Sequence, residues 1–179
     1  MKKTLLAVAM AAAAGLTGMA PFANAAAGDS ITFKMVRSTG ATCLTNDARA
    51  RVSISDLGPV QNLHLEVFAL VPNTSFTTFI VQHATAPFGL GWYQGDIKTD
   101  KHGHGVADFS GIFNDETFIV SDPPVQMDHV GIWFADPNDA GNAGCANTPT
   151  PFDGDHVAGI QVLNTSNFAD DKGPLLNLK

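Results

Sequence analysis

The chain is short of the residues that carry most small-protein chemistry. It has two cysteines and one tyrosine in 179 residues, and its only glutamates are Glu66 and Glu116. No C-x-x-C pair is present, which excludes the usual dithiol redox motif. There is no H-E-x-x-H pattern and no G-x-S-x-G elbow, so neither a zinc-protease helix nor a hydrolase nucleophile turn can be read. Two glutamates leave little material for a glycosidase acid pair, whose separation of roughly 5–10 Å is in any case spatial rather than sequential. Past the first twenty residues there is no long apolar run, no internal repeat, no charge block and no low-complexity linker.

The N-terminus has the order that signal peptidase requires. Met1-Lys2-Lys3-Thr4 is positive, and Leu5 to about Ala20 is apolar apart from Gly15, Thr17 and Gly18. Pro21 and Ala23-Asn24-Ala25 follow, an A-x-A cleavage pattern. The apolar run falls short of the roughly 18–20 residues of a membrane span. No cysteine lies near the cut for lipid attachment, and no arginine pair precedes the run. The expectation is a signal peptide over 1–25 cut after Ala25, a secreted or periplasmic product, and no membrane insertion after the signal is removed. Its 154 residues, 26–179, suit one domain. With Lys2 and Lys3 gone, eight basic residues face seventeen acidic ones, a formal charge of −9. An acidic chain with scattered cations lacks the footprint for phosphate backbones or anionic lipid, so nucleic acid is excluded as a partner.

Both cysteines, Cys43 and Cys145, fall in the exported part, where two thiols most often form one bridge. Closing a loop of about 100 residues gives roughly 4–5 kcal/mol in the chain-entropy model, as an upper figure.

Short β-type segments separated by turn residues run the length of the chain. They are Ser30–Val36, Ala50–Ser55, Leu63–Val67, Phe76–Gln82, Leu90–Thr99, Gly105–Phe113, Glu116–Val120, His129–Ala135 and Val157–Leu163. The second and third alternate strictly, which turns His64 and Glu66 to solvent. Some nine strands with frequent turns predict an all-β antiparallel sandwich of the immunoglobulin/fibronectin kind. One helix signal stands out: Asp136 as N-cap, Pro137 at the first helical position, and Gly144 as a left-handed stop. Thr99 to Gly105 reads as a hairpin loop, with Asp100 bonding its own backbone and Gly103 at positive φ.

Four constellations bear on function. His102 and His104 share the hairpin with Asp100, while His129 and His156 lie elsewhere; imidazoles and carboxylates are zinc and copper ligands. Solvated turn residues are the competing reading, and no metal is assigned. The blue-copper loop is absent, since His156 stands eleven residues past Cys145 and no methionine follows. Asp136, Asn138, Asp139 and Asn142 crowd one loop, and Asp153 with Asp155 flank Gly154, but neither spacing fits an EF-hand. Ser, His and Asp are all present without a serine-hydrolase signature. Last, Phe88-Gly89-Leu90-Gly91-Trp92-Tyr93-Gln94 sets aromatics beside glycines, which suits a stacking platform. Phe88, Trp92 and Tyr93 are therefore the candidate ligand contacts. The competing expectation is that strand alternation turns Trp92 or Tyr93 into the core.

Two resemblances accompany this reading. Leu70-Val71-Pro72-Asn73-Thr74-Ser75-Phe76 resembles the L-x-P-x-T-x-Y stretch of fibronectin type III domains, with Phe76 in place of tyrosine. Ala86 to Ile97, with Thr99-Asp100 and Glu116 to Val120, resembles a family of secreted bacterial proteins of unknown function. Thr148 to His156, running into Ala158 to Thr165, resembles the same family. That likeness implies secretion and a single domain, and supplies no site residues. The residues favour a non-catalytic module, structural or ligand-binding, whose partner is an extracellular ligand or protein and which needs no cofactor. The alternative is a small metal-binding protein or metal-dependent enzyme using the His102/His104 hairpin.

Overall fold

The computed structural model describes residues 30–113, 124–151 and 157–178. Their strands are β1 (Ser30–Arg37), β2 (Arg49–Asp56), β3 (Gln61–Phe68), β4 (Ser75–Val81), β5 (Gly91–Lys98), β6 (Gly105–Gly111), β7 (His129–Phe134), β8 (Thr150–Pro151), β9 (Val157–Ala158) and β10 (Gln161–Asn164). A short helix, α1 (Pro137–Asn142), and a 3-10 turn (Pro174–Asn177) complete the described elements. All strand pairings are antiparallel, and eight strands form one sheet in the order β5-β4-β7-β10-β1-β2-β3-β6.

β10 and β1 pair at only two positions, Val36 with Asn164 and Arg37 with Leu163. There the sheet turns over, so its two halves face each other across one core. Val52, Leu65 and Ile54 from one half and Phe76, Ile132 and Phe134 from the other belong to a single buried cluster. The fold is an all-β, sandwich-like antiparallel structure, as the strand pattern predicts, with one α-helix among the described residues.

Alternation works as read in β2 and β3. Ala50, Val52, Ile54, Leu63, Leu65 and Val67 are inward and at most 2% exposed, while Arg51, His64 and Glu66 point outward. β7 differs, for all six of its residues are buried. Val130, Ile132 and Phe134 face the main core. Trp133 on the opposite face joins Phe79, Val81 and Ala158 in a second cluster that Phe88 flanks. β9 supplies Ala158, and its partner β8 lies outside the strands expected from the sequence.

The segment expected as one strand, Val157–Leu163, is divided. β9 pairs with β8 and β10 with β7, and the chain crosses between them at Gly159-Ile160. The Gly159 N–H donates to Phe134 O at 2.8 Å, where an added Cβ would press on Phe134. The Glu116–Val120 expectation and the signal peptide with its Ala25 cut lie outside the described residues.

Cys43 and Cys145 are disulfide-bonded with Cα atoms 4.8 Å apart, tying the β1–β2 connection to the end of α1. The α1 signals read as expected. Asp136 accepts from the Asn138 N–H at 2.8 Å, Pro137 opens the helix, and Gly144 follows its end at φ +84°. Among the described residues no helix is long and apolar enough to cross a membrane.

Candidate functional site

The 99–105 hairpin is a turn built on one carboxylate. Asp100 Oδ1 accepts from the His102 N–H at 2.8 Å and from the His104 N–H at 3.0 Å. These bonds, His104's first, hold the Asp100 carboxyl below the usual carboxylate range. Gly103 has φ +74°, and its carbonyl accepts from the Leu70 N–H at 3.1 Å. His104 lays its ring against Phe68 at 5.1 Å, and the Arg49 guanidinium sits 5.0 Å from the same ring. Asp100 is thus engaged with backbone. Among the described residues no group of three or more His, Cys, Asp or Glu side chains is arranged to hold a metal ion. Asp136 and Asn138 belong to the helix cap, and Asp153, Asp155 and His156 lie outside the described residues.

The three candidate aromatics do not form one platform. Trp92 is 55% and Tyr93 43% exposed, so neither enters the core as strand alternation would have one of them do. The β4–β5 register slips between Thr78 and Phe79, and Tyr93 comes to lie against Phe79 at 5.6 Å on the face away from the main core. Trp92 pairs with core-facing Ile80 but stands on the edge strand of the sheet, where it stays exposed. The buried tryptophan is Trp133, packed edge-on against both Phe79 (5.5 Å) and Phe88 (5.1 Å). Tyr93 lines a small cleft of about 120 Å³ with Thr77, Phe79, Asp96, Val157 and Ala158. Partial burial, then the neighbouring Asp96 carboxylate, pushes the Tyr93 hydroxyl pKa up.

Phe88 belongs to a different and larger depression of about 390 Å³, within the ordinary size range for small-molecule sites. Four separate pieces of chain form it: the turn Ser38–Gly40 after β1, the β4–β5 loop at Thr85, Ala86 and Phe88, Thr148 with Thr150 at the start of β8, and Ile160 with Gln161 at the start of β10. Loops gathered at one end of a rigid sandwich are where such folds place binding sites. Backbone bonds anchor the first two pieces, and Thr150 is held by its pairing with Ala158. The Ser38 N–H donates to Val162 O at 2.9 Å, the Ala41 N–H to Ser38 O at 3.1 Å, and the His83 N–H to Phe88 O at 3.0 Å. Gln161 is fixed as well, its Nε2 donating to Ala84 O at 3.0 Å and its Oε1 accepting from Asn164 at 2.8 Å. Sequence reasoning found only Phe88 here, because the threonines come from segments spread over more than a hundred residues and carry no motif.

Two polar clusters also escaped it. His64 on β3 donates from Nδ1 to Asp108 Oδ1 on β6 at 2.9 Å, beside Asn62, on an open face of the sheet. The Asn62 amide first, then His64, holds Asp108 below the usual carboxylate range. His129 is fully buried, with Nδ1 2.8 Å from Thr165 Oγ1 and Nε2 3.8 Å from Asp128 Oδ1. Desolvation raises the Asp128 carboxyl, whose Oδ2 accepts from the Gly173 N–H at 3.1 Å. The pair is buried against the C-terminal segment, which it helps to seat. The Leu175 N–H donates to Asp128 O at 3.2 Å in the same contact.

Compared with known proteins, the chain matches no family model and no curated sequence.

Proposed function

We propose that the chain is a secreted or periplasmic, non-catalytic β-sandwich module, one domain over 26–179, that captures a ligand in the loop-end groove beside Phe88. One observation carries this reading: a preformed depression of about 390 Å³ framed by four separate segments, with an aromatic ring in its wall. Pre-organised walls lower the ordering cost of binding. The Cys43–Cys145 bridge and the N-terminal A-x-A pattern support export. The 70–76 stretch supports an immunoglobulin- or fibronectin-like kinship. Among the described residues the groove lining offers hydroxyls but no histidine, carboxylate or lysine, which supports a binding rather than a catalytic reading.

Amide chemical-shift mapping of the mature protein with phenol and 2-propanol tests the reading. The shifts should concentrate at 38–40, 85–88, 148–150 and 160–161. Shifts scattered over the surface, or gathered at Tyr93 and Asp96, would contradict it.

A further inference from the structure

We infer that the ligand of this groove is a neutral polyhydroxylated molecule, a saccharide, held by hydroxyl groups on the rim and by a ring face against Phe88. The inference rests on the binding reading above and adds the chemical class.

Charge decides first. Among the described residues no ionisable side chain lines the groove. An ionic ligand would lose hydration there and gain no counter-charge. Hydrogen-bonding chemistry decides next. Five lining residues, Ser38, Thr39, Thr85, Thr148 and Thr150, end in hydroxyls. Thr39, Thr85 and Thr148 are exposed, Thr150 is half-buried and Ser38 is buried. A hydroxyl both donates and accepts, so it can answer either role of a sugar hydroxyl, whereas a carboxylate or ammonium answers only one. A wholly apolar ligand would cover these groups without replacing their bonds to water, which is costly. Phe88 supplies the remaining need, an aromatic surface for the C–H face of a pyranose ring, and its edge-to-face contact with Trp133 holds it in place.

That contact also provides a reporter. The chain has two tryptophans, so Trp92→Phe leaves Trp133, directly behind Phe88, as the single fluorophore. The test is a fluorescence titration of mature Trp92→Phe protein with neutral trisaccharides of glucose, galactose, mannose and N-acetylglucosamine, and with trigalacturonate as the charged counterpart. At least one neutral sugar should saturate the signal below 10 mM, and trigalacturonate should not. Phe88→Ala should weaken binding by about tenfold, the usual worth of one aromatic contact. The double change Thr85→Val with Thr148→Val keeps side-chain shape and should weaken it by about tenfold or more, while leaving the melting temperature unchanged. Failure of every neutral sugar, or preference for trigalacturonate, overturns the inference. If phenol still maps to the groove, the binding reading survives that result; if phenol misses it too, both fall. Undiminished sugar binding by the threonine double variant also overturns the assignment to these hydroxyls.

Discussion

Replacing Gly103 with valine isolates what the 99–105 hairpin is for. Gly103 sits at φ +74°, where a β-branched residue is strained by about 1–3 kcal/mol. A Cβ added there would also collide with the Leu70 carbonyl, on the same residue whose N–H donates to Gly103 O at 3.1 Å. Relieving the collision means giving up that hydrogen bond, a further loss of about 1 kcal/mol. The expected cost of Gly103→Val is therefore roughly 2–4 kcal/mol, read as a lower urea midpoint with unchanged slope. His102→Ala removes only solvated atoms and should stay within about 0.5 kcal/mol. His104→Ala loses its ring contact with Phe68 and should cost about 0.5–1 kcal/mol. If the histidines instead held a metal, the ranking would invert and a chelator would lower the wild-type melting temperature. A Gly103→Val protein within 0.5 kcal/mol of wild type, or such a chelator effect abolished by His102→Ala, would refute the turn account.

Cys43→Ser should destabilise by roughly 2–4 kcal/mol, and the unreduced wild type should show no thiol to labelling reagents. Thr165→Ala strips a partner from buried His129 Nδ1 and from the Val130 N–H, so a loss of about 1–3 kcal/mol is expected in denaturant unfolding. Folding depresses the Asp100 pKa, so its contribution is complete above the ordinary aspartate value near 4 and is lost as pH falls through the lower folded value. Asp100→Asn should accordingly flatten stability against pH below about 4 and leave its slope near neutrality untouched. Mass spectrometry of the exported protein should give an N-terminus at Ala26, within a residue or two; an intact Met1 form held in membrane would contradict export.

Local rules made much of the fold legible. Val52, Ile54, Leu63 and Leu65 alternate with polar residues because one face of β2 and β3 meets water, and the Asp136-Pro137…Gly144 frame dictates its own helix. The same rules failed where a second layer covers the sheet. His129 to Phe134 alternates nothing, since the β8–β9 hairpin and Phe88 bury the face that an open sheet would leave wet. Trp92 and Tyr93 depart from simple alternation because a one-residue bulge turns Tyr93 to the outer face and the edge position of β5 leaves Trp92 uncovered. The groove was the least legible feature. Thr39, Thr85, Thr148 and Thr150 meet only because the sheet turns over between β10 and β1 and brings four distant loops to one end.

That placement can be tested with one substitution. Gly40 stands in the groove with open space around any added Cβ and without a positive φ, so Gly40→Trp can fill the depression without disturbing the core. Amide shift mapping with phenol, run on wild type and Gly40→Trp side by side, is the most direct measurement of whether this groove is the binding site. The wild type should show shifts at 85–88 and 148–150 that the equally stable variant lacks. Identical shifts in the two proteins would contradict the account.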